Sequence, residues 1–319
     1  MEFTNSTVDV VIVGGGAAGV NAAIVLARAR RSVIVIDAGA PRNAPAAGVH
    51  GFLGHEGTPP LQLLAAGRSE AEGYGARFVD GTALTVDRDG AGFEVTSNAA
   101  ERISARRLLL ATGLVDELPA VPGVQQGWGT NVLHCPYCHG WEVRDRSIGI
   151  IATSPLYAHQ VHLFRQWSDQ ITLFMHMQDE PTEDEYERLA ARGISVVLGE
   201  VQSVNYDGDL LTGATLVGGS VHPLDAMVVG PRMRARAELL AGLGVLPVSH
   251  PSGMGEFIAT DEFGATSAAG VWAAGNTADL SAQVVVAAAA GLKAAAAINA
   301  DLVQEDLAAA LGQYRLARR

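Results

Sequence analysis

The feature that most constrains this fold is a glycine-rich loop between an apolar stretch and an alanine-rich one. Val8–Val13 is a continuous apolar run, which is typical of a buried parallel strand. Gly14–Gly19 follows with the sequence Gly-Gly-Gly-Ala-Ala-Gly, then a helical pattern to about Arg30, and a second apolar run that ends at Asp37. A glycine loop between strand and helix, with an acidic residue about 20 positions on, predicts a dinucleotide-binding α/β unit.

Each residue of this loop has a physical task in holding a pyrophosphate. Gly14 permits the tight turn, Gly16 lets the phosphates approach the backbone, and Gly19 allows close packing of helix on strand. Ala17 and Ala18 open the helix, whose first N–H groups and dipole favour phosphate. All five residues are therefore predicted to contact the cofactor.

The loop after the second strand is a further candidate for cofactor contacts. Asp37 is placed to accept hydrogen bonds from ribose hydroxyls. The following segment is rich in glycine, proline and alanine, and Ala38, Arg42, Asn43 and His50 are its candidate contacts. For these four residues, the alternative is a solvated loop position without a ligand.

Two later segments repeat the pattern of a buried strand that ends in a turn of small residues. The first is 108–113 (Leu-Leu-Leu-Ala-Thr-Gly), and the second is 270–276 (Gly-Val-Trp-Ala-Ala-Gly-Asn), followed by a helix that starts near residue 282. With the glycine loop, these segments are expected to surround one dinucleotide. The further candidate contacts are Ala83, Ala111, Thr112, Gly113, Gly275, Asn276, Ala282, Gln283 and Val284.

The region between these segments has its own alternation of strands and helices, which predicts a second, smaller α/β sheet. The predicted fold class is thus α/β, with two Rossmann-like dinucleotide-binding domains. The first domain is discontinuous: residues 1–117 and 242–319 form it, and a central domain at 118–241 interrupts it.

The two cysteines of the chain stand together in His134-Cys135-Pro136-Tyr137-Cys138-His139. A Cys-x-x-Cys pair followed by histidine fits a redox dithiol, half of a zinc site, or a c-type haem attachment site. Zinc needs about two further ligands, usually cysteine or histidine, and there is no third cysteine. Haem attachment needs export, and no signal peptide is visible in the sequence, so a catalytic dithiol is favoured.

Composition excludes several classes of partner. The net charge of −12 argues against nucleic acid and against an anionic membrane, because both require a basic face. The apolar run from Val284 to Ile298 is mostly alanine and contains Lys293, which favours a packed helix over a membrane span. The expected location is the cytoplasm.

These motifs together resemble the low-molecular-weight thioredoxin reductases over nearly the whole chain. The resemblance implies FAD as the cofactor, a homodimer, Cys135 as the thiol that exchanges with substrate, and Cys138 as the thiol nearer the flavin. His139 stands where those enzymes carry an acidic proton-transfer residue, and the pKa of imidazole suits it to act as the base. His134 is a second candidate base. Asn276 replaces the usual aspartate and can still bond a ribityl hydroxyl.

The central domain departs from that family. Where thioredoxin reductases carry a second glycine fingerprint for NADPH, this chain has 150–157, Ile-Ile-Ala-Thr-Ser-Pro-Leu-Tyr. Side chains and Pro155 occupy the turn that glycines would leave open. The basic cluster that would bind the 2′-phosphate is replaced by 175–180, Met-His-Met-Gln-Asp-Glu. These changes predict that no NADPH site remains.

The stretch from Cys135 through Val143 is most similar to the FAD-dependent dithiol oxidases that close disulfides in holomycin- and gliotoxin-type natural products. The resulting hypothesis is an oxidase that takes electrons from a small dithiol and gives them to molecular oxygen. One alternative is a thioredoxin-type reductase that uses NADPH or ferredoxin. Another is a redox sensor whose flavin and disulfide report a state without turnover.

Overall fold

The structure, a computed structural model, describes residues 7–99 and 102–319, and these form two compact units. The described residues of the first unit lie within Met1–Ala44, Thr58–Val115 and Met233–Arg319. The second unit comprises Pro45–Gly57 and Asp116–Arg232. The first unit is therefore discontinuous in sequence.

These units differ from the predicted domain division in two places. Residues 233–241, predicted to belong to the central domain, lie in the first unit because Ala235, Ala237 and Leu240 are buried in its core. The segment Pro45–Gly57, predicted to belong to the first domain, is part of the second unit. Its His50 side chain meets Glu142 there.

The elements are numbered in chain order. The helices are α1 (Ala17–Arg28), α2 (Pro60–Gly73), α3 (Pro136–His139), α4 (Tyr157–Phe164), α5 (Glu183–Ala191) and α6 (Val284–Leu316). The strands of the first half are β1 (Val8–Val13), β2 (Val33–Asp37), β3 (Arg77–Asp80), β4 (Ala83–Asp89), β5 (Gly92–Ser97), β6 (Arg102–Leu110), β7 (Leu114–Glu117), β8 (Val132–Leu133) and β9 (Ile148–Ile151). The remaining strands are β10 (Ile171–Phe174), β11 (Ser195–Val197), β12 (Val201–Asp207), β13 (Leu210–Leu216), β14 (Val221–Pro223), β15 (Ala226–Val229), β16 (Arg232–Ala235), β17 (Val248–Ser249), β18 (Gly255–Phe257) and β19 (Val271–Ala273).

The main sheet of the first unit has the order β3-β2-β1-β6-β5-β4, and β19 also pairs with β6. Strands β1, β2, β6 and β19 run parallel, so their carboxyl ends lie at one edge of the sheet. The residues that follow these strands are Gly14, Ala38, Ala111 and Ala274. Parallel α/β sheets bind ligands at this edge, and it is where the predicted cofactor segments meet.

Helix α6 packs along α1 and completes the core beneath that edge. Its buried residues are small or aliphatic: Ala287, Gly291, Ala294, Ala295, Ile298 and Leu302. A Cβ on Gly291 would lie 2.0 Å from the carbonyl oxygen of Ala18, so only glycine permits this approach. The helix has 33 residues, and by length and composition it is long and apolar enough to cross a membrane.

Two arginines of β6 tie this helix to the sheet. The Arg107 guanidinium is nearly buried and pairs with Asp301 and with Glu305, the latter at 2.5 Å. Arg106 pairs with Glu305 at 2.8 Å, and with Asp9 of β1 at 2.8 Å. The carboxylates of α6 are thereby linked to two neighbouring strands.

The second unit contains a five-stranded sheet in the order β11-β10-β9-β15-β8, and neighbouring strands in it run parallel. A three-stranded antiparallel sheet, β12-β13-β14, packs with it through Val204, Ala214 and Leu224. Helix α5 begins with a capping box, in which Thr182 and Glu185 satisfy each other's backbone N–H groups. The predicted α/β class with Rossmann-type sheets is confirmed by these sheets and by the structural neighbours reported below.

A four-stranded sheet, β17-β18-β16-β7, contains the two strands at which the chain leaves and re-enters the first unit. Strands β16, β17 and β18 are only two to four residues long, and they were not predicted from the sequence.

Candidate functional site

The glycine loop after β1 forms the tight turn that its sequence predicts. Gly14 has a φ of +105°, and its Cβ would lie 2.3 Å from the carbonyl oxygen of Ala111, so this position requires glycine. A Cβ on Gly19 would lie 1.9 Å from the carbonyl oxygen of Gly14. Both glycines therefore let the chain approach itself, which brings α1 directly against the end of β1.

Gly16 differs from its neighbours because its missing side chain faces open space. A Cβ there would have no atom within 4 Å, and the backbone (φ −73°, ψ −175°) is one that any residue adopts. Gly16 is the N-cap of α1, and no side chain caps this helix. The free volume beside uncapped N–H groups is what a phosphate requires.

Ala17 and Ala18 begin α1, and Ala18 is buried. A Cβ on Gly275 would lie 2.9 Å from the Cβ of Ala18, and Gly275 has a φ of +70°. Ala18 thus contacts both the turn at residue 275 and Gly291 of α6. In this structure its role is to join three distant segments by close packing.

Asp37 lies at the end of β2, next to the glycine loop. Its Oδ1 accepts a hydrogen bond from the Gly15 N–H at 3.0 Å. This contact fixes the carboxylate beside the loop, where an acidic side chain can accept a hydrogen bond from a ribose hydroxyl. A Cβ on Gly15 would lie 2.6 Å from this carboxylate, so Gly15 avoids a steric clash with Asp37. Each of the three consecutive glycines thus has its own structural reason.

The small-residue turns after β6 and β19 are joined by a residue that the sequence analysis missed. Thr277 is fully buried, and its Oγ1 accepts a hydrogen bond from the Gly113 N–H at 2.8 Å. Thr112 donates its hydroxyl to the Arg236 carbonyl at 2.5 Å. Thr277 directly follows Ala-Ala-Gly-Asn in the sequence. A hydroxyl residue beside such a turn was the signal that could have identified it as a residue of the site.

The start of α6 presents the last group of predicted contacts. Asn276 donates its amide to the carbonyls of Asp279 at 3.0 Å and Ala282 at 2.9 Å, which orders the turn before the helix. Gln283 is the N-cap, with no side-chain cap bond, and Val284 is the first helical residue. The first N–H groups of α6 are therefore a second set of donors like those of α1.

The remaining predicted contacts are Ala38, Arg42, Asn43, His50 and Ala83. Ala38 is exposed, whereas Arg42, Asn43 and Ala83 are half-buried. His50 belongs to the second unit, where its Nδ1 donates to Glu56 Oε1 at 2.6 Å and its Nε2 lies 3.5 Å from Glu142 Oε1. In this structure, the side chain of His50 thus lies between two carboxylates.

The cysteine pair lies in the second unit, directly after β8. Cys135 is the N-cap of the four-residue helix α3, and Cys138 is its third residue. Their sulfur atoms lie 2.7 Å apart, compared with about 2.05 Å in a disulfide bond. Both side chains are half-buried, so the pair combines reach to a substrate with proximity for disulfide exchange.

Close packing of aromatic rings supports this short helix. A Cβ on Gly140 would lie 2.7 Å from the Trp167 ring, so glycine lets the indole pack against α3. Trp167 also contacts the edge of Tyr137, with ring centroids 5.8 Å apart. Gln160 of α4 donates to the His134 carbonyl at 3.0 Å, which fixes the residue before Cys135.

His139 ends α3, one residue after Cys138, and is half-buried. Burial lowers the pKa of its imidazole below the ordinary 6.5, the nearby Glu142 carboxylate raises it, and His50 lowers it further. The lowered pKa keeps the ring neutral at pH 7, the form that accepts a proton. Both ring nitrogens of His134, the other predicted base, are buried.

The turn after β9 carries side chains where a dinucleotide fingerprint has glycines. The Thr153 hydroxyl donates to the Gly230 carbonyl at 2.7 Å, and Ser154 Oγ accepts from the Leu156 N–H at 3.3 Å. The chain therefore satisfies one of the first N–H groups of α4 with its own serine. A phosphate would have to compete with that contact and with the ring of Pro155.

Within residues 7–99 and 102–319, no group of three or more His, Cys, Asp or Glu side chains is arranged to hold a metal ion.

The fold and these two sites together define a dinucleotide-dependent disulfide oxidoreductase. The family model described as "Pyridine nucleotide-disulphide oxidoreductase" matches residues 8–291, and the chain belongs to this family. A curated relative, thioredoxin reductase sirT of Leptosphaeria maculans, is 29% identical over 97% of this chain and 98% of its own length.

Solved structures give the same result. The crystal structure of HlmI is 44% identical, with a TM-score of 0.92 over 99% of each chain. An oxidoreductase from Agrobacterium tumefaciens is 34% identical, with a TM-score of 0.88 over 93% of this chain and 99% of its own. The chain is thus a thioredoxin reductase-like flavoprotein, and its cofactor is FAD.

The first unit fits FAD. The open volume at Gly16 and the uncapped start of α1 suit the pyrophosphate, and the Asp37 carboxylate suits a ribose. The start of α6 supplies further N–H donors.

Proposed function

We propose that this protein is an FAD-dependent dithiol oxidase that forms a disulfide in a small dithiol and passes the electrons to oxygen, which gives hydrogen peroxide. The observation that carries the proposal is a closely spaced cysteine pair with a half-buried histidine directly after it. This arrangement contains a thiol-exchange pair and a base, which are the groups that the reaction requires.

The reaction begins with Cys135 and Cys138 joined as a disulfide. A substrate thiolate attacks Cys135 Sγ, the bond between the cysteines breaks, and Cys138 leaves as a thiolate. The second thiol of the substrate then attacks the substrate sulfur of the mixed disulfide and releases Cys135 as a thiolate. The product is a substrate disulfide, and the cysteine pair has gained two electrons while two protons have left the substrate.

His139 supplies the base for this exchange. A thiol with a pKa near 8.5 is mostly protonated at neutral pH, so attack requires removal of its proton. Because the pKa of His139 lies below its usual value, its ring is neutral and able to accept that proton. His134 is kept as a second candidate base.

The cofactor completes the cycle. When bound, FAD supplies a two-electron acceptor that reoxidises the cysteine pair and that oxygen can reoxidise in turn. The residues that would hold it are those of the glycine loop, Asp37, the turns at residues 111–113 and 275–277, and the start of α6. The protein is proposed to act as a cytoplasmic homodimer.

The second unit supports oxygen rather than a nicotinamide as the other redox partner. The turn at 153–155 is filled by Thr153, Ser154 and Pro155. The Ser154 hydroxyl accepts a hydrogen bond from the N–H of Leu156, the N-cap residue of α4. Glu180, in the region where a 2′-phosphate would need cations, instead bonds Tyr186 at 2.8 Å. The similarity to HlmI extends over 99% of each chain, which is compatible with a reaction mechanism shared by the two proteins.

A second function has its own support. The curated relative carries the name thioredoxin reductase, which favours an enzyme that receives electrons from NADPH or ferredoxin and reduces a thioredoxin-like protein. The same cysteine pair would then work in the opposite direction.

Anaerobic stopped-flow spectroscopy of the flavin separates the two functions. The oxidase is expected to lose its flavin absorbance rapidly on mixing with a dithiol such as dithiothreitol, and to regain it with peroxide release when oxygen is admitted. Steady oxygen consumption would also distinguish the oxidase from a redox sensor. Rapid bleaching by NADPH, with none by the dithiol, would instead establish the reductase.

A further inference from the structure

The histidine in the segment Pro45–Gly57 is held in one position by the segment itself. Gly51 turns the chain with a φ of +68°, and the Gly57 N–H donates to the Val49 carbonyl at 2.8 Å. One oxygen of Glu56 accepts from His50 Nδ1 at 2.6 Å, and the other accepts from the Gly51 N–H at 3.0 Å. Both oxygens of Glu56 are therefore used to fix the His50 ring.

The other nitrogen of this ring faces a glutamate in the turn that follows α3. His50 Nε2 lies 3.5 Å from Glu142 Oε1, and Glu142 is three residues after His139. With a carboxylate at each nitrogen, the ring has an acceptor for a proton on both sides. Its side chain is 24% exposed, so these contacts are only partly screened by water.

Glu142 and His50 are also the charged groups that act on His139. The Glu142 carboxylate stabilises a protonated His139, and a protonated His50 opposes it. Helix α4, which packs on α3, carries the titratable residues Tyr157, His159 and His162, and none of them is among the groups that shift the pKa of His139.

We propose that Glu142 and His50 are positioning residues for His139, in addition to the dithiol site on which this inference rests. When His139 takes the proton of a substrate thiol, Glu142 stabilises the imidazolium that forms. His50, which Glu56 fixes, pairs with Glu142. This contact limits how strongly Glu142 stabilises the imidazolium of His139. The proton then leaves to water, and His139 returns to its neutral form. Each step transfers one proton and no electrons.

The two positions are expected to act in opposite directions. Glu142→Gln removes a negative charge near His139, so the pKa of His139 falls and its imidazolium is stabilised less. His50→Gln removes the side chain that lowers the pKa of His139 and also removes the second partner of Glu142, so the pKa of His139 rises. A purely structural role would not shift one group in opposite directions.

The direct test is an NMR titration of protein labelled with ¹³C at histidine, with His139→Gln used to assign the signal. The matched control is His55→Gln, which removes an exposed histidine from the same segment. The expected result is a lower pKa of His139 in Glu142→Gln, a higher one in His50→Gln, and the wild-type value in the control. Glu142→Asp keeps the charge and is expected to restore most of the wild-type value.

A second readout reports on the reaction. Turnover of a dithiol by Glu142→Gln is expected to fall about tenfold at neutral pH, the size of losing one charge-assisted interaction. If neither variant moves the pKa of His139, or both move it in one direction, the proposal is wrong. The titration needs no turnover, so a wild-type protein that releases no peroxide overturns the proposed function and leaves this test intact. Thermal melting of each variant identifies any that fail to fold, and His50→Asn is the substitute for His50→Gln.

Discussion

Alanine substitutions at two glycines of the same loop should separate cofactor binding from folding. Gly16→Ala places a methyl group in open space, with no atom within 4 Å. Gly19→Ala places one 1.9 Å from the carbonyl oxygen of Gly14. Each variant adds one methyl group, and the two positions are three residues apart. Each variant therefore serves as the control for the other.

The expected effect of Gly16→Ala on the free energy of unfolding is close to zero. Alanine is a poorer N-cap than glycine by about 0.5 kcal/mol. It also restricts the unfolded chain, which stabilises by about 0.4–1 kcal/mol where the backbone suits it, as φ −73° does here. A methyl in the phosphate volume, however, costs about 1–3 kcal/mol of binding free energy, which weakens FAD binding roughly five- to 150-fold.

The expected effect of Gly19→Ala is the reverse. The methyl meets a backbone atom that no side-chain rotation can move, which costs about 3 kcal/mol. The higher helix propensity of alanine returns about 1 kcal/mol. The remaining loss of about 2 kcal/mol should lower the melting temperature of the FAD-free protein by roughly 5 °C.

The assays are flavin fluorescence titration of the FAD-free protein and thermal melting without cofactor, because bound FAD would itself raise stability. Gly16→Ala that binds FAD with the wild-type dissociation constant would refute the assignment of the open volume to the pyrophosphate. Gly19→Ala that melts with the wild type would refute the argument from close packing.

Four further predictions concern the second unit and the ion pairs of the first. Cys138→Ser is expected to retain FAD but to abolish dithiol turnover, measured as oxygen uptake; full activity would exclude the disulfide mechanism. His139→Gln should reduce kcat/KM at least a hundredfold at neutral pH. In the wild type, kcat/KM should rise with pH through the pKa of His139, below 6.5, because the neutral ring is the base; a rise centred above 6.5 would contradict this assignment. Arg107→Leu should destabilise the protein by about 1–2 kcal/mol in urea unfolding, and the difference should shrink in high salt; a difference unchanged by salt would show that the Arg107 ion pairs are not its source.

Local sequence was sufficient to predict the elements whose form depends on neighbouring residues. The order β1, glycine loop, α1 and β2 follows from a buried apolar run and from glycines at fixed spacing, and the structure contains it at Val8–Asp37. The start predicted for the last helix, near residues 282–284, agrees with α6 at Val284. These features depend on backbone geometry over a few residues, which composition and spacing encode directly.

The features that the sequence analysis missed depend on contacts between distant parts of the chain. His50 stands in the loop after β2, and its cofactor contact stays a prediction, but its contact with Glu142 was not predicted. No local pattern reveals that partner. Thr277 is a similar case, since its hydroxyl stands beside a recognisable turn but the local sequence does not identify Gly113 as its partner.

The discontinuity of the first unit has a consequence for how this protein is made. The Asn21 amide of α1 bonds the Ala288 carbonyl, and Arg31 bonds Asn299, so the first helix is completed by residues near the end of the chain. On the ribosome, α1 must wait for nearly the whole protein to be synthesised before it can bury its core face. The second unit can begin folding earlier, because its long segment, Asp116–Arg232, emerges before α6. A nascent chain halted before residue 284 should therefore be unable to retain flavin, and chaperones would meet it with its N-terminal helix still uncovered.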